Sequence, residues 1–237
     1  RPLDCAHAAG LARREGNRIM IVPHVRCSLQ GSFVALPTPF RNGEIDYAAL
    51  QTLIEWHVAE KTDGLVIAGT TGEAATLSDN ERRGLFDAAV ACARGRLPIV
   101  AGVGTNCTRT TIEMAKGAVS AGVAALLVVT PYYNRPSQRG LALHYGAVAE
   151  AVTKPIVLYN VPSRTGVDLQ PETVSEVGER YPHVVAVKEA LASTERVKRL
   201  VRDIGRAGIR CLGYDFSIAG VWGWTRGRFA RGEAMSV

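Results

Sequence analysis

From Gly31 onward, short apolar runs rich in β-branched residues alternate with longer stretches in which apolar positions recur at helical spacing. The runs SFVALPT (32–38), GLVIAG (64–69), PIVAGVG (98–104), AALLVVT (124–130), PIVLYN (155–160), VVAVKE (184–189) and RCLGY (210–214) predict seven strands. Between them, 46–60, 79–94, 109–121, 138–152, 171–180 and 194–206 predict amphipathic helices. Ser78-Asp79-Asn80-Glu81 supplies a cap and an acidic first turn for the second of these. Strand and helix in alternation mean repeated βα units and a parallel sheet.

Seven such units, each about 25 to 30 residues long, favour a (β/α)8 barrel of the TIM type over an open doubly wound sheet. The eighth unit is not visible. After Asp215 the chain reads FSIAGVWGWTRGRFARGEAMSV, which has one short apolar stretch and no space for strand, helix and closing structure. The expectation is therefore an α/β TIM barrel truncated after strand seven, with the edges of its first and last strands left open. Residues 1–30 show no convincing period and are expected to form an irregular leader, 31–214 an incomplete barrel domain, and 215–237 a divergent tail.

Composition narrows the function classes. A 237-residue chain suits one large domain, and its 47% apolar and 21% charged content is ordinary for a globular protein. No apolar run approaches the roughly 18 to 20 residues of a membrane helix, and Ile19 to Val22 is too short for a signal-peptide core. The net charge of +6 is uneven: residues 1–30 hold five Arg against Asp4 and Glu15, whereas 31–214 hold twenty basic against eighteen acidic residues. A nearly balanced body argues against nucleic-acid binding. Cys5, Cys27, Cys92, Cys107 and Cys211 are scattered, without C-x-x-C spacing, so neither a disulfide framework nor a zinc site is indicated and a reducing cytoplasm is expected.

Polar residues at the carboxyl ends of barrel strands converge on one mouth. Four segments stand there: GTTGE (69–73), TPYYN (130–134), YNVPSRTG (159–166) and Lys188 with Glu189. Lys188 lies within VVAVKEA, where apolar neighbours imply burial; desolvation favours the neutral amine that carbonyl addition requires. The competing reading is a structural lysine paired with Glu189 or another acid. GTTGE offers hydroxyls and backbone N–H groups suited to a carboxylate, or else is a tight turn before a helix; it lacks the lysine of a P-loop. AGVGTN (101–106) does not complete a dinucleotide fingerprint, and no cofactor or metal motif is found. Tyr132, Tyr133 and Tyr159 are either core and rim aromatics or members of a hydroxyl relay. Arg164 is either a surface ion-pair partner or a fork for a substrate carboxylate.

Together, GTTGE, PYYNRP, YNVPSRTG and VVAVKEA, in this order and spacing, resemble the dihydrodipicolinate synthase family, within the wider class I pyruvate-dependent aldolases and lyases that include N-acetylneuraminate lyase. The resemblance runs from about Gly31 to Gly213. It implies that Lys188 forms a Schiff base with pyruvate, that Thr70, Tyr133 and Tyr159 relay protons, and that Thr71 and its loop hold the pyruvate carboxylate. It implies further that Arg164 receives the carboxylate of L-aspartate 4-semialdehyde, that Gly213 borders the substrate pocket, and that no cofactor other than the covalent pyruvate imine is needed. The implied reaction is a step of the diaminopimelate route to lysine. A homo-oligomer, usually a tetramer, is implied because the tyrosine matching Tyr133 enters a neighbouring subunit's site. Asn106 and Tyr132 match positions used by lysine-inhibited members, but Ala74, Asp79, Arg82 and Thr110 replace others, so weak or absent lysine inhibition is expected. The family continues through an eighth unit and a carboxyl-terminal helical domain, so an inactive fragment is a competing expectation, as is an aldolase for another 2-keto acid or sugar acid.

Overall fold

The computed structural model describes residues 12–15, 18–21, 29–191, 193–207, 209 and 211–214; the expected tail 215–237 lies outside them. Within the leader expected to be irregular, β1 (Ala12–Glu15) and β2 (Arg18–Ile21) pair antiparallel with each other. The main sheet begins at β3 (Phe33–Ala35). A small hairpin follows, β4 (Phe40–Arg41) and β5 (Glu44–Ile45), turning at Asn42 and Gly43, both with positive φ. Asn-Gly is the strongest short hairpin signal, because the tight turn needs left-handed backbone at both positions.

The predicted units then appear in order. Helix α1 (Tyr47–Ala59) precedes β6 (Gly64–Ile67), and α2 (Asp79–Ala93) precedes β7 (Ile99–Gly102). They continue as α3 (Thr108–Ala121), β8 (Ala125–Val129), α4 (Gln138–Ala151), β9 (Ile156–Asn160), the single turn α5 (Pro162–Thr165), α6 (Pro171–Arg180), β10 (Val184–Glu189), α7 (Thr194–Arg206) and β11 (Cys211–Tyr214). Helix α2 starts as its sequence predicts: the Ser78 hydroxyl accepts from the Glu81 amide at 3.3 Å, and the Glu81 carboxylate accepts from the Ser78 amide at 2.7 Å. Among the described residues no helix is long and apolar enough to cross a membrane.

All seven strands of the main sheet are parallel, in the order β11-β10-β9-β8-β7-β6-β3. Spatial order follows chain order without a reversal. A doubly wound sheet reverses at a switch point, so this sheet has the winding of a TIM barrel. Among the described residues β3 and β11 form its two edges.

Side-chain alternation divides the core in two. Leu65, Ile67, Ile99, Ala101, Leu126, Val128, Ile156 and Leu158 pack outward under the helices, whereas Val66, Val100, Ala125, Leu127, Val157 and Tyr159 pack on the inner face. The outer layer holds most of the large, wholly buried side chains, each worth about 1.5 to 3 kcal/mol in burial. One strand breaks the alternation. Between Val184 and Ala186 the register of β10 against β9 shifts by one residue, so Val185 and Ala186 both pack on the inner face and Val187 packs outward.

Candidate functional site

The register shift decides where Lys188 points. Uninterrupted alternation from the outward Val184 would send Lys188 beneath the helices; the extra residue turns it to the inner face. There Lys188 pairs in register with Tyr159 of β9 and with Gly213 of β11. Its Nζ stands 4.4 Å from the centroid of the Tyr159 ring. Glu189 takes the opposite face, where its buried carboxylate accepts from Arg196 Nε at 2.8 Å, so it is not the partner of Lys188. An ion pair between Lys188 and its neighbour Glu189 is thereby removed.

Beside this row lies a cavity of about 300 Å³ at the carboxyl ends of the strands. Its wall includes Thr70, Tyr159 and Arg164 of the predicted site, together with Glu73, Arg82 and Tyr132, but not Lys188, Thr71 or Tyr133. Tyr159 is thus shared between the cavity and the lysine. Thr71 is exposed, and Tyr133 is 90% exposed at φ +74, with its neighbour Tyr132 turned to the cavity instead. Gly102 and Gly104 let strand ends crowd together around this wall: a Cβ at Gly102 would lie 2.1 Å from the Ala68 carbonyl oxygen, and one at Gly104 2.4 Å from the Val129 nitrogen.

Local chemistry builds each loop. Pro162 begins α5 and Gly166, at φ +70, ends it, so the sequence P-S-R-T-G forms one turn that carries Arg164. The Thr165 hydroxyl closes that turn on the Val161 and Val167 carbonyls at 3.2 and 2.9 Å. GTTGE closes on itself: the Gly72 and Ala74 amides donate to the Gly69 carbonyl, and the Glu73 amide donates to the Thr70 carbonyl. Two of the amides expected to face a ligand, those of Gly72 and Glu73, are therefore spent within the turn. The Thr38 hydroxyl fixes it further by donating to the Gly72 carbonyl at 2.6 Å. Non-glycine residues with left-handed backbone gather here, with Ala68 and Glu73 on the cavity wall and Tyr133 and Arg135 in the loop above, and such strain persists where surrounding structure over-determines it.

Two buried polar groups at this end had no sequence signal as a pair. Arg82 is 4% exposed, donates Nη2 to the Gly102 carbonyl at 2.6 Å, and leaves Nε without a partner. Burial pulls its guanidinium below the ordinary value, opposed by Asp79 and Tyr132. On the outer face, Asn160, Asp168, Glu189 and Arg196 form a hydrogen-bonded cluster whose members are spread over 36 positions of sequence. Only the fold brings them together.

Comparison with known proteins adds to this geometry. A sequence model of the Dihydrodipicolinate synthetase family matches residues 28–223, ten residues past Gly213. A 4-hydroxy-tetrahydrodipicolinate synthase of Anaeromyxobacter sp. (strain Fw109-5) is 49% identical over 191 residues, which is 80% of this chain and 64% of that protein. The chain thus spans under two thirds of the length of that curated relative. Crystal structures of dihydrodipicolinate synthases superpose well. That of Aquifex aeolicus gives a TM-score of 0.77 at 41% identity, covering 79% of this chain and 64% of the other. The chloride-inhibited enzyme of Acinetobacter baumannii, complexed with pyruvate, gives 0.75 at 44% identity over 78% and 63%.

Proposed function

This chain belongs to the dihydrodipicolinate synthetase family, and on that premise we propose that it is built for the 4-hydroxy-tetrahydrodipicolinate synthase reaction, in which a lysine imine of pyruvate condenses with L-aspartate 4-semialdehyde. The observation that carries the reading is the Lys188–Tyr159 pair, 4.4 Å from amine to ring centroid on neighbouring strands, at a cavity walled by Thr70 and Arg164. The Lys188 amine adds to the pyruvate carbonyl carbon, and the carbonyl oxygen leaves as water. Loss of a methyl proton converts the imine to an enamine, whose carbon attacks the aldehyde. In this reading Tyr159 and Thr70 carry the protons, and no metal or nucleotide is required. Thr71 and the GTTGE turn hold the pyruvate carboxylate, and the exposed Arg164 fork takes the carboxylate of the semialdehyde. Gly213, in register with Lys188, borders the substrate pocket in this reading.

The 90% exposure of Tyr133 supports its use by a neighbouring copy within a homotetramer, and a cytoplasmic site of action fits the substrates. Sedimentation of the full chain as a tetramer is the expected result; a strict monomer that turns over normally removes Tyr133 from the relay. Lysine inhibits weakly or not at all in this reading, and strong inhibition at sub-millimolar lysine overturns that part.

Borohydride trapping with pyruvate, followed by peptide mass mapping, tests the core of the proposal. The expected product is a reduced adduct on Lys188 that is absent from Lys188→Ala. Folded protein without an adduct rejects the reading. An adduct combined with turnover of sugar-derived aldehydes, but not of aspartate semialdehyde, redirects it to another acceptor.

A further inference from the structure

The register of β9 and β10 sets Tyr159 beside Lys188 and, one residue on, Asn160 beside Glu189. Successive strand residues face opposite sides, so each inward side chain of the site is backed at once by an outward polar one. That backing pair is buried, with Asn160 and Glu189 both at 0% exposure. Asn160 Nδ2 faces the two Glu189 oxygens at 3.0 and 3.1 Å and Asp168 Oδ1 at 2.8 Å, while its Oδ1 accepts from the Leu169 amide at 2.9 Å. Glu189 also accepts from the Leu191 amide at 2.9 Å and from Arg196 Nε at 2.8 Å. Arg196 Nη1 reaches Asp168 at 2.9 Å, and Nη2 donates to the Leu169 carbonyl. One guanidinium from α7 thus ties together the end of β10 and the loop that follows α5.

We infer that Arg196 and Glu189 are positioning residues for Lys188: they lock the end of β10 so that the amine meets the substrate carbonyl at a fixed height beside Tyr159. A buried carboxylate held by amide, backbone and guanidinium donors cannot turn without stranding several of them, so the backbone at Glu189, and with it Cα of Lys188, has one position. Addition of an amine to a carbonyl tolerates misplacement of only about half an ångström, and the register shift upstream leaves the strand dependent on its far end for this placement. Both side chains meet on the outer face of the sheet, opposite Lys188, so neither touches substrate. The inference rests on the reading that Lys188 forms the imine.

The test follows the rate of borohydride-trapped adduct against pyruvate concentration in the full chain. The double substitution Glu189→Gln with Arg196→Met removes both buried charges together and leaves only the partly exposed Asp168 carboxylate, which keeps Asn160 and Gln170 as donors. Its limiting trapping rate is expected to fall at least about 10-fold while the half-saturating pyruvate concentration moves less than about 3-fold, and Arg196→Lys alone is expected to keep most of the rate. A double variant with the wild-type limiting rate overturns the inference. So does a loss that only tracks the unfolded fraction seen by thermal melting, because the cluster is then structural and nothing more. A folded wild-type chain that gives no adduct overturns the imine reading itself, and is recognised before any substitution is made.

Discussion

Two buried polar clusters sit at the carboxyl ends of the strands, one behind the sheet and one at its mouth, and they are satisfied to different degrees. Behind the sheet, Glu189, Asn160 and Arg196 answer one another's hydrogen-bonding groups through three elements and a loop. At the mouth side, Arg82 on the cavity wall keeps a buried Nε that has no partner among the described residues. A satisfied cluster in a low-dielectric interior stiffens what it holds, whereas an unsatisfied one is costly unless a ligand or a neighbouring chain completes it. The difference teaches that the two sides of the sheet serve different tasks: the outer polar residues fix position, while at the mouth Arg82, brought in by α2, is left short of partners.

Removing one member from each cluster is the most direct way to break this contrast. Arg196→Met leaves the wholly buried Glu189 carboxylate uncompensated and is expected to cost about 3 to 5 kcal/mol in urea unfolding. An effect below about 1 kcal/mol would mean that the outer cluster holds nothing.

Acid sharpens the contrast next. His144 bonds Thr108 Oγ1 through Nδ1 at 2.8 Å, and its buried Nε2 has no partner. Burial pulls its value from 6.5 down to about 4. Between those values the unfolded chain holds the proton that the folded chain refuses, so stability rises with pH: it is complete above about 6.5 and is lost as pH falls towards about 4. The loss amounts to up to about 3 kcal/mol, and His144→Gln should flatten that part of a stability-against-pH curve. An unchanged slope in the variant would assign the acid sensitivity elsewhere.

Arg82→Met is the mouth-side counterpart of the first substitution. It removes an arginine whose burial already disfavours its charge and whose one hydrogen bond goes to the Gly102 carbonyl. The expected change in unfolding free energy is within about 1.5 kcal/mol of zero. A loss as large as that of Arg196→Met would erase the distinction between the clusters. The smallest effect calibrates the scale. Ser78→Ala removes the cap of the helix that carries Arg82 and should cost about 1 kcal/mol with no change in pyruvate trapping.

The elements themselves were legible before any coordinates. Period-two apolar runs and period-3.6 stretches mark the seven parallel strands and the long helices within a residue or two of their observed ends, because burial on one face imposes those periods locally. The first strand is the exception: it stops at Ala35, three residues short of its expected end. Pro162 and Gly166 likewise announce the turn that carries Arg164. The β4–β5 hairpin passed unnoticed although Asn42-Gly43 marks it, since two-residue strands have no period to detect.

What the sequence determined by itself is the order of the units, and with it which residues stand at strand ends: Thr70, Tyr159, Arg164 and Lys188 all follow from patterns a few residues long. What only the tertiary structure decided is the direction in which those residues face and what stands behind them. VVAVKE is apolar on both sides, so its alternation carries no record of the register shift near Val185 that turns Lys188 inward. Glu189 is adjacent to Lys188 in sequence, yet it pairs with Arg196, seven residues on and one helix away. Tyr132 and Tyr133 are indistinguishable as letters until the loop backbone turns one to the cavity and the other to solvent. Periodicity is a local property, imposed by one strand or one helix at a time; pairing across strands and layers is settled by packing among elements that the chain keeps far apart.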